Sequence, residues 1–563
     1  MKTQSHPLFT ILIGILLTTG CSALQIPGVV TVPPPGLTRI PAQPTQPVAL
    51  PILPDTLTPF PVNTQSPVST PAVTLIIPLT ASSTVSPTIA TSTALPTAPP
   101  TRSVQSGPSP TALPTDTAEP GGAAGPLPHY IIDVNMDYGK EKILDVLQEI
   151  DYPNTSGEKL TTIVLAVLPN TLPGIFDLKN IWADEAPLTN YSLEGQKLTL
   201  VLPFALENTK TIKLEFEYRL TLPDITQGDP NIIRPQIFGV TERQVNLTDW
   251  YPMVVPYMPG QGWVLHNPWF YGEHLVYPLA DFDVNLRFKD PPGNDPVVAA
   301  SGRGEPIKDG THYELKIARD FVFSMGRQLK STSDRLDGIL VTSYYYPGSA
   351  AAGQAALYAT IDALKSYTSL FGPYPHTSLA VVQGDFEDGM EFDGLYYLSD
   401  GFYNLYDNTN NNYLVMVAAH ETSHQWWFGR VANDQALEPW LDEALATYCE
   451  KIFYETNHPE SLSWWQYARI DFYQPGGKID GNVSSYGGYL TYRNTVYLRG
   501  AQFMTELRQQ IGDIAFFGFL KDYSHQMDGR IASGNDFFRI LRLHSQADLA
   551  DLFARYFTHP PKY

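Results

Sequence analysis

Between Ser22 and Pro126 the chain carries 23 of its 50 prolines, interleaved with Thr and Ser, and its only charges there are Arg39, Asp55, Arg102, Asp116 and Glu119. Such a stretch holds too few large apolar side chains to offset the entropy of ordering it. It reads as a disordered linker over 22–126, so globular structure is expected from about Leu127 onward. In polyproline geometry, at about 3.1 Å per residue, the tract would reach on the order of 300 Å, which suits a tether.

The residues ahead of the linker read as an export signal over 1–21: Lys2 supplies positive charge, Leu8 to Leu17 is apolar, and small residues lead to Cys21. That run is about half of the roughly 20 residues a membrane span requires. Thr18-Thr19-Gly20-Cys21 resembles the bacterial lipoprotein processing site, with Leu17 one step early, and the resemblance makes Cys21 the lipidated residue. Diacyl modification would attach the protein to a membrane without a transmembrane helix. The expected location is extracytoplasmic and membrane-anchored, at the cell surface or in the periplasm. Simple secretion with an incidental Cys21 is the alternative.

Charge and cysteine content narrow the chemistry. A net charge of -21 argues against a nucleic-acid partner, because phosphate neutralisation needs clustered Lys and Arg. Cys21 and Cys449 are the only cysteines and lie too far apart in the architecture for a disulfide framework or thiolate cluster. Any metal must therefore be held by His and carboxylate.

The globular part is expected to be α+β and multidomain. Over 127–330 the pattern is β: Thr161–Val167, Lys197–Val201, Thr211–Tyr218 and Phe282–Phe288 are rich in β-branched and aromatic residues and bounded by Pro, Gly and Asn. A sandwich-like or saddle-shaped domain follows from that pattern. Over 331–563 the spacing turns helical, with Ala350–Leu370 and Leu414–Phe428 as the clearest runs. The aromatic segment Trp250–Tyr277, with Trp263 and Trp269, is expected either to build core at the domain junction or to line a peptide groove.

His420-Glu421-Thr422-Ser423-His424 lies in the second helical run, with Gly429 as its natural stop. On a helix, positions i and i+4 share a face, so the two imidazoles converge on one cation while Glu421 projects beside it. A catalytic zinc needs a third protein ligand and an open position. Glu443, separated from His424 by eighteen intervening residues and lying on a second helix that starts near Pro439, supplies that ligand. One Zn2+ is the expected cofactor, since two His and a carboxylate with an open position suit zinc best. Glu450 sits seven residues further along the same helix face, placed either to orient a ligand imidazole or to form a surface salt bridge. Cys449 is read as a core thiol and the remaining histidines, His266, His274, His312 and His376 among them, as packed or exposed imidazoles.

With its flanks His424-Gln425-Trp426-Trp427 and Trp440-Leu441-Asp442-Glu443-Ala444, this pattern resembles the alanyl aminopeptidase and leukotriene hydrolase family of gluzincin metallopeptidases. Gly389-Met390-Glu391-Phe392 resembles that family's Gly-x-Met-Glu-Asn strand, with Asp388 in place of a Gly and Phe392 in place of the Asn. The resemblance implies that Gly389 and Met390 pair with the peptide and that Glu391 binds its free α-amino group. Tyr497-Leu498-Arg499-Gly500-Ala501 resembles the family's Tyr-x-Lys-Gly-Ala segment, which implies that Tyr497 donates to the oxyanion, with Tyr492 in reserve. It also implies a thermolysin-like catalytic domain with a small sheet, and the family's large C-terminal helical domain is expected to be absent.

The expected activity is a zinc aminopeptidase trimming extracytoplasmic peptides, in which Glu421 serves as general base and then general acid. A thermolysin-like endopeptidase, motivated by Phe392, and a non-catalytic surface peptide-binding protein are the competing readings. The sequence sets no oligomeric state, and a monomer is the working expectation.

Overall fold

A computed structural model describes residues 125–225, 237–291 and 293–561. The signal sequence, Cys21 and nearly all of the linker lie outside the described residues. No helix among the described residues is long and apolar enough to cross a membrane.

The β-type patterning up to about residue 327 folds as four sheets over one core. The largest has eight strands in the order Arg303–Ile307, Gly310–Ala318, Ala280–Phe288, His129–Asp137, Ile143–Pro153, Thr211–Thr221, Phe176–Ala183, Ala186–Pro187. Its strands alternate as a one-face-buried sheet should: Tyr130, Ile132, Val134 and Met136 are buried while the residues between them are not. Two four-stranded sheets and a two-stranded ribbon, Tyr257–Met258 with Gly262–Trp263, complete this part. Trp250 is fully buried in the shared core and donates its indole N–H to the Phe321 carbonyl at 3.0 Å, whereas Trp269 stays 37% exposed. The aromatic segment thus divides between core and surface.

The second half opens with a five-stranded mixed sheet, ordered Lys330–Leu336, Ile339–Tyr345, Ser378–Gly384, Leu395–Ser399, Gly389–Phe392. Gly389–Phe392 is an edge strand, antiparallel to Leu395–Ser399, with no partner on its other side among the described residues. Helices Ala350–Phe371, Tyr413–Ser423 and Trp440–Asn457 pack with this sheet around a second core, rich in aromatics.

The helical run expected over Leu414–Phe428 forms a helix only over Tyr413–Ser423. Asn412 caps it by accepting from the Leu414 N–H at 2.9 Å. At its end the chain tightens: the Gln425 and Trp426 N–H groups bond to carbonyls three residues back, at 3.2 and 2.9 Å. Gly429 therefore follows a turn, and is not the stop of the helix itself.

The two halves are stitched by Arg319, whose buried guanidinium donates to the carbonyls of Gly429, Tyr277, Arg430 and Arg530 at 2.9 to 3.2 Å. Its backbone N–H donates to Asp393, which also bonds His376 at 2.7 Å. Because Asp393 immediately follows the edge strand, this network fixes that strand's far end.

Candidate metal centre

The motif helix Tyr413–Ser423 and the helix Trp440–Asn457 lie side by side, and their facing residues meet at one point. His420 Nε2 lies 3.2 Å from His424 Nε2 and 3.3 Å from Glu443 Oε2, and His424 Nε2 lies 3.6 Å from the same oxygen. All three side chains are buried, and Glu443 Oε2 accepts no hydrogen bond.

The partners of the other ring nitrogens set the tautomers. His424 Nδ1 lies 2.9 Å from the Trp427 carbonyl, which can only accept, so Nδ1 carries the hydrogen. His420 Nδ1 lies 2.9 Å from Glu450 Oε1 and donates to that carboxylate. Both Nε2 lone pairs then point into one space together with an orphaned carboxylate oxygen. Such an arrangement is repulsive unless a cation occupies the centre.

Protons can serve in part. Burial opposes charging His420, yet the carboxylates of Glu443 and Glu450 carry its imidazole up to about 9. Burial likewise opposes ionising Glu443, but His420 and His424 hold it down to about 2. A divalent ion would replace those protons. A tetrahedral zinc with bonds of about 2.0 to 2.2 Å needs donor atoms roughly 3.3 Å apart, and the three observed separations bracket that value. The residues fit the ion.

Glu450 is fully buried, which excludes the surface salt bridge considered for it. Beyond His420 it accepts from Arg469 at 2.9 and 2.7 Å and from the Trp465 indole at 2.8 Å. Those bonds hold its carboxylate ionised, against the burial that would raise it. It is thus set to fix the His420 ring and tautomer. Arg469 and Trp465 were not legible in the sequence, since neither follows the helix spacing of the motif. Cys449 is a buried thiol, pushed up to about 12 by burial and receiving the Trp427 indole at 3.2 Å.

Glu421 lies next to the triangle, with a carboxylate oxygen within 4.8 Å of ligand atoms of both His424 and Glu391. Its Oε2 has no hydrogen-bond partner, and burial pushes the carboxyl up to about 8 against the pull of both imidazoles. The edge strand passes so close that a Cβ on Gly389 would sit 2.1 Å from Glu421 Oε1, so only glycine fits there. Gln425, one residue beyond His424, locks this strand to the motif helix by donating to the Phe392 carbonyl at 2.9 Å and accepting from the Gly394 N–H at 3.0 Å.

Alternation along the edge strand sorts its side chains. Glu391 is buried near Glu421 and His424, and Gln435 donates to it at 3.2 Å. Phe392 turns the opposite way into the small core at the domain junction, packing its ring 6.1 Å from that of Tyr397. The Asn-to-Phe departure therefore lies on the junction side of the strand. Met390 borders both the metal-centre cavity and an apolar cavity of about 320 Å3 that Phe392 and Trp269 also line.

Tyr497 lies on a π-helical turn, Asn494–Arg499, a form of helix that recurs at functional sites. Its hydroxyl donates to Glu443 Oε1 at 2.7 Å and its ring is parallel to that of His420. Close packing brings it there: a Cβ on Gly500 would meet that of Ala444 at 2.3 Å. Tyr492 is fully buried with an unpaired hydroxyl, and its ring packs at a tilt against that of Tyr271, 5.1 Å between centroids. The structure thus brings His420, Glu421, His424, Glu443, Glu391 and Tyr497 into one cavity of about 70 Å3. Glu273, also lining that cavity, was missed because its surroundings carry no motif.

The model of the Peptidase family M1 domain matches residues 355–556. The chain is 29% identical over 158 residues to Aminopeptidase M1 of Arabidopsis thaliana, covering 27% of this chain and 18% of that protein. It is 24% identical over 306 residues to Aminopeptidase N of Lactobacillus delbrueckii subsp. lactis, covering 50% and 36%. It thus spans well under half the length of these curated relatives. Among solved structures, a two-domain M1 zinc metallopeptidase bound to L-tryptophan superposes with a TM-score of 0.58 at 19% identity, over 78% of this chain and 96% of that one. The M1 zinc metallopeptidase from Deinococcus radiodurans gives 0.56 at 18%, over 77% and 96%. At such identity these likenesses establish the α+β, two-part fold.

Proposed function

We propose, from the match of residues 355–556 to the model of the Peptidase family M1 domain, that the protein is a zinc aminopeptidase removing N-terminal residues from extracytoplasmic peptides. The observation that carries this reading is the buried His420, His424, Glu443 triangle with a second carboxylate, Glu391, opening onto the same cavity.

His420, His424 and Glu443 would hold the ion. Bound there, zinc supplies a Lewis acid that lowers the pKa of water toward neutrality and polarises the scissile carbonyl. Glu421, buried and with one oxygen unbonded, takes the proton of the attacking water and delivers it to the leaving amine. Its raised pKa suits both halves of that transfer. Tyr497 turns its hydroxyl from Glu443 to the oxyanion that develops on the substrate. Glu391, steadied by Gln435, accepts hydrogen bonds from the substrate ammonium, which fixes the distance from the free amine to the scissile bond. Gly389 and Met390 offer the free edge of their strand to the peptide backbone, as in recognition by strand addition.

For the chain as a whole we propose a signal over 1–21, a lipid anchor on Cys21, a tether over 22–126, a β-rich domain over 127–330 and a peptidase domain over 331–563, acting as a monomer outside the cytoplasm. The lipoprotein-like Thr18–Cys21 motif and the proline-rich composition support the anchor and tether.

The test compares a free and an N-acetylated peptide library, read by mass spectrometry with and without chelator. Chelator-sensitive release of N-terminal residues from the free library alone supports the proposal. Internal cleavage of blocked peptides would instead favour an endopeptidase, and turnover that survives chelation would refute a metallopeptidase.

A further inference from the structure

The metal-centre cavity has a basic end that the proposed chemistry does not use. Arg469 and Arg493 both line it, along with Asp388 and Tyr489. Arg469 is committed to Glu450 through two bonds. Arg493 has no carboxylate partner among the described residues: it donates to the side-chain oxygen of its neighbour Asn494 at 3.1 and 2.7 Å and lies over the Tyr473 ring at 4.3 Å. A half-buried guanidinium held flat in this way keeps donors available for a planar anion.

The edge strand tells which part of a substrate reaches that end. With the amine at Glu391, a peptide can extend along the strand in only one direction. Toward Asp393 the way is closed, because Glu391, Phe392 and Asp393 are buried and tied to Gln425, Arg319 and His376. Toward Asp388 exposure rises, and Glu387 and Asp388 are exposed. From Glu391 to Asp388 the strand advances three residues, about 10 Å, which is also about the extended length of a tripeptide. There the Tyr489 hydroxyl donates to Asp388, which has a left-handed backbone at φ 78°, and both residues line the cavity together with Arg493.

We infer that Arg493 binds the free α-carboxylate of tripeptides, so that the site measures a substrate from both ends and favours whole tripeptides over the N-termini of long chains. This inference rests on the aminopeptidase reading for its substrate orientation. Arg493 would then be a specificity residue, acting after Glu391 has set the register.

The experiment uses the zinc-loaded protein and one tripeptide in two forms, free acid and C-terminal amide. The acid should have a kcat/KM at least about tenfold above the amide, as a charge-assisted bidentate pair provides. In Arg493→Gln the acid-to-amide ratio should fall to near one. Because the ratio is internal to each variant, partial misfolding does not mimic the result. Calorimetric titration of both peptides into the Glu421→Gln form reads the same preference without turnover. A protein that binds the acid more tightly yet cleaves neither peptide supports the role of Arg493 while refuting the peptidase reading. Equal handling of acid and amide by the wild type, or a ratio unchanged in Arg493→Gln, overturns the inference.

Discussion

Two carboxylates in this molecule each gather a pair of imidazoles, and their surroundings differ in burial and in the cation beside them. On the large β-sheet, Asp283 lies 2.6 Å from His129 and 3.2 Å from His312, with the ammonium of Lys316 at 2.9 Å. At the metal centre, Glu443 lies 3.3 and 3.6 Å from His420 and His424, with no ammonium present. The Asp283 side chain is 22% exposed and that of Glu443 only 3%. The first cluster is complete: lysine supplies the positive charge, water screens the rest, and burial's upward push on Asp283 is overcome by Lys316 and His129. The second is buried, leaves a carboxylate oxygen unbonded and aims two lone pairs inward. Residue types alone do not separate a surface ion cluster from a metal site; desolvation and the missing cation do.

Substitutions can break that contrast in a graded way. The largest effect is expected from Glu421→Gln, which keeps the zinc ligands but removes the base: kcat/KM should fall by about 10² to 10⁴ with one zinc still bound, as measured by kinetics and elemental analysis on the same preparation. Gly389→Ala places a methyl where Glu421 already sits, and a displacement of about 1 Å at a reacting group can cost on the order of 100-fold. That loss should appear in kcat/KM while the melting temperature shifts by only a few degrees. Glu450→Gln leaves His420 without its ionised partner and should weaken zinc binding by about 10- to 100-fold in a competition assay with a chelating dye. The smallest effect belongs to the other cluster: Asp283→Asn should cost no more than about 1 kcal/mol in a denaturant titration and leave zinc affinity and activity as they were. A substantial loss of zinc from Asp283→Asn would erase the distinction drawn between the two clusters.

The sequence carried the centre of this site because helix geometry is periodic. The spacing from His420 to His424, and from Glu443 to Glu450, brings each pair to one face, and these side chains do meet. What lay beyond that period could not be read. Arg469 reaches Glu450 from a separate π-helical turn, Gln466–Asp471, whose sequence carries no spacing relation to the motif. The motif helix ends at Ser423 and not near Phe428, because apolar composition continues through Trp426 and Trp427 while the backbone has already turned. Phe392 resembled a change at the catalytic strand, yet alternation sends its ring to the domain junction. The β-rich half was legible as strands, since exposed and buried residues alternate, but its partition into four sheets depends on long-range pairing that local pattern does not encode.

The most direct measurement is zinc uptake by metal-stripped protein, followed by calorimetry and X-ray absorption. The expected result is one zinc per chain with nitrogen and oxygen ligands at about 2.0 to 2.2 Å, and loss of that uptake in both His424→Ala and Glu443→Ala. Failure of the folded protein to take up zinc, or uptake unchanged in those two variants, would contradict it.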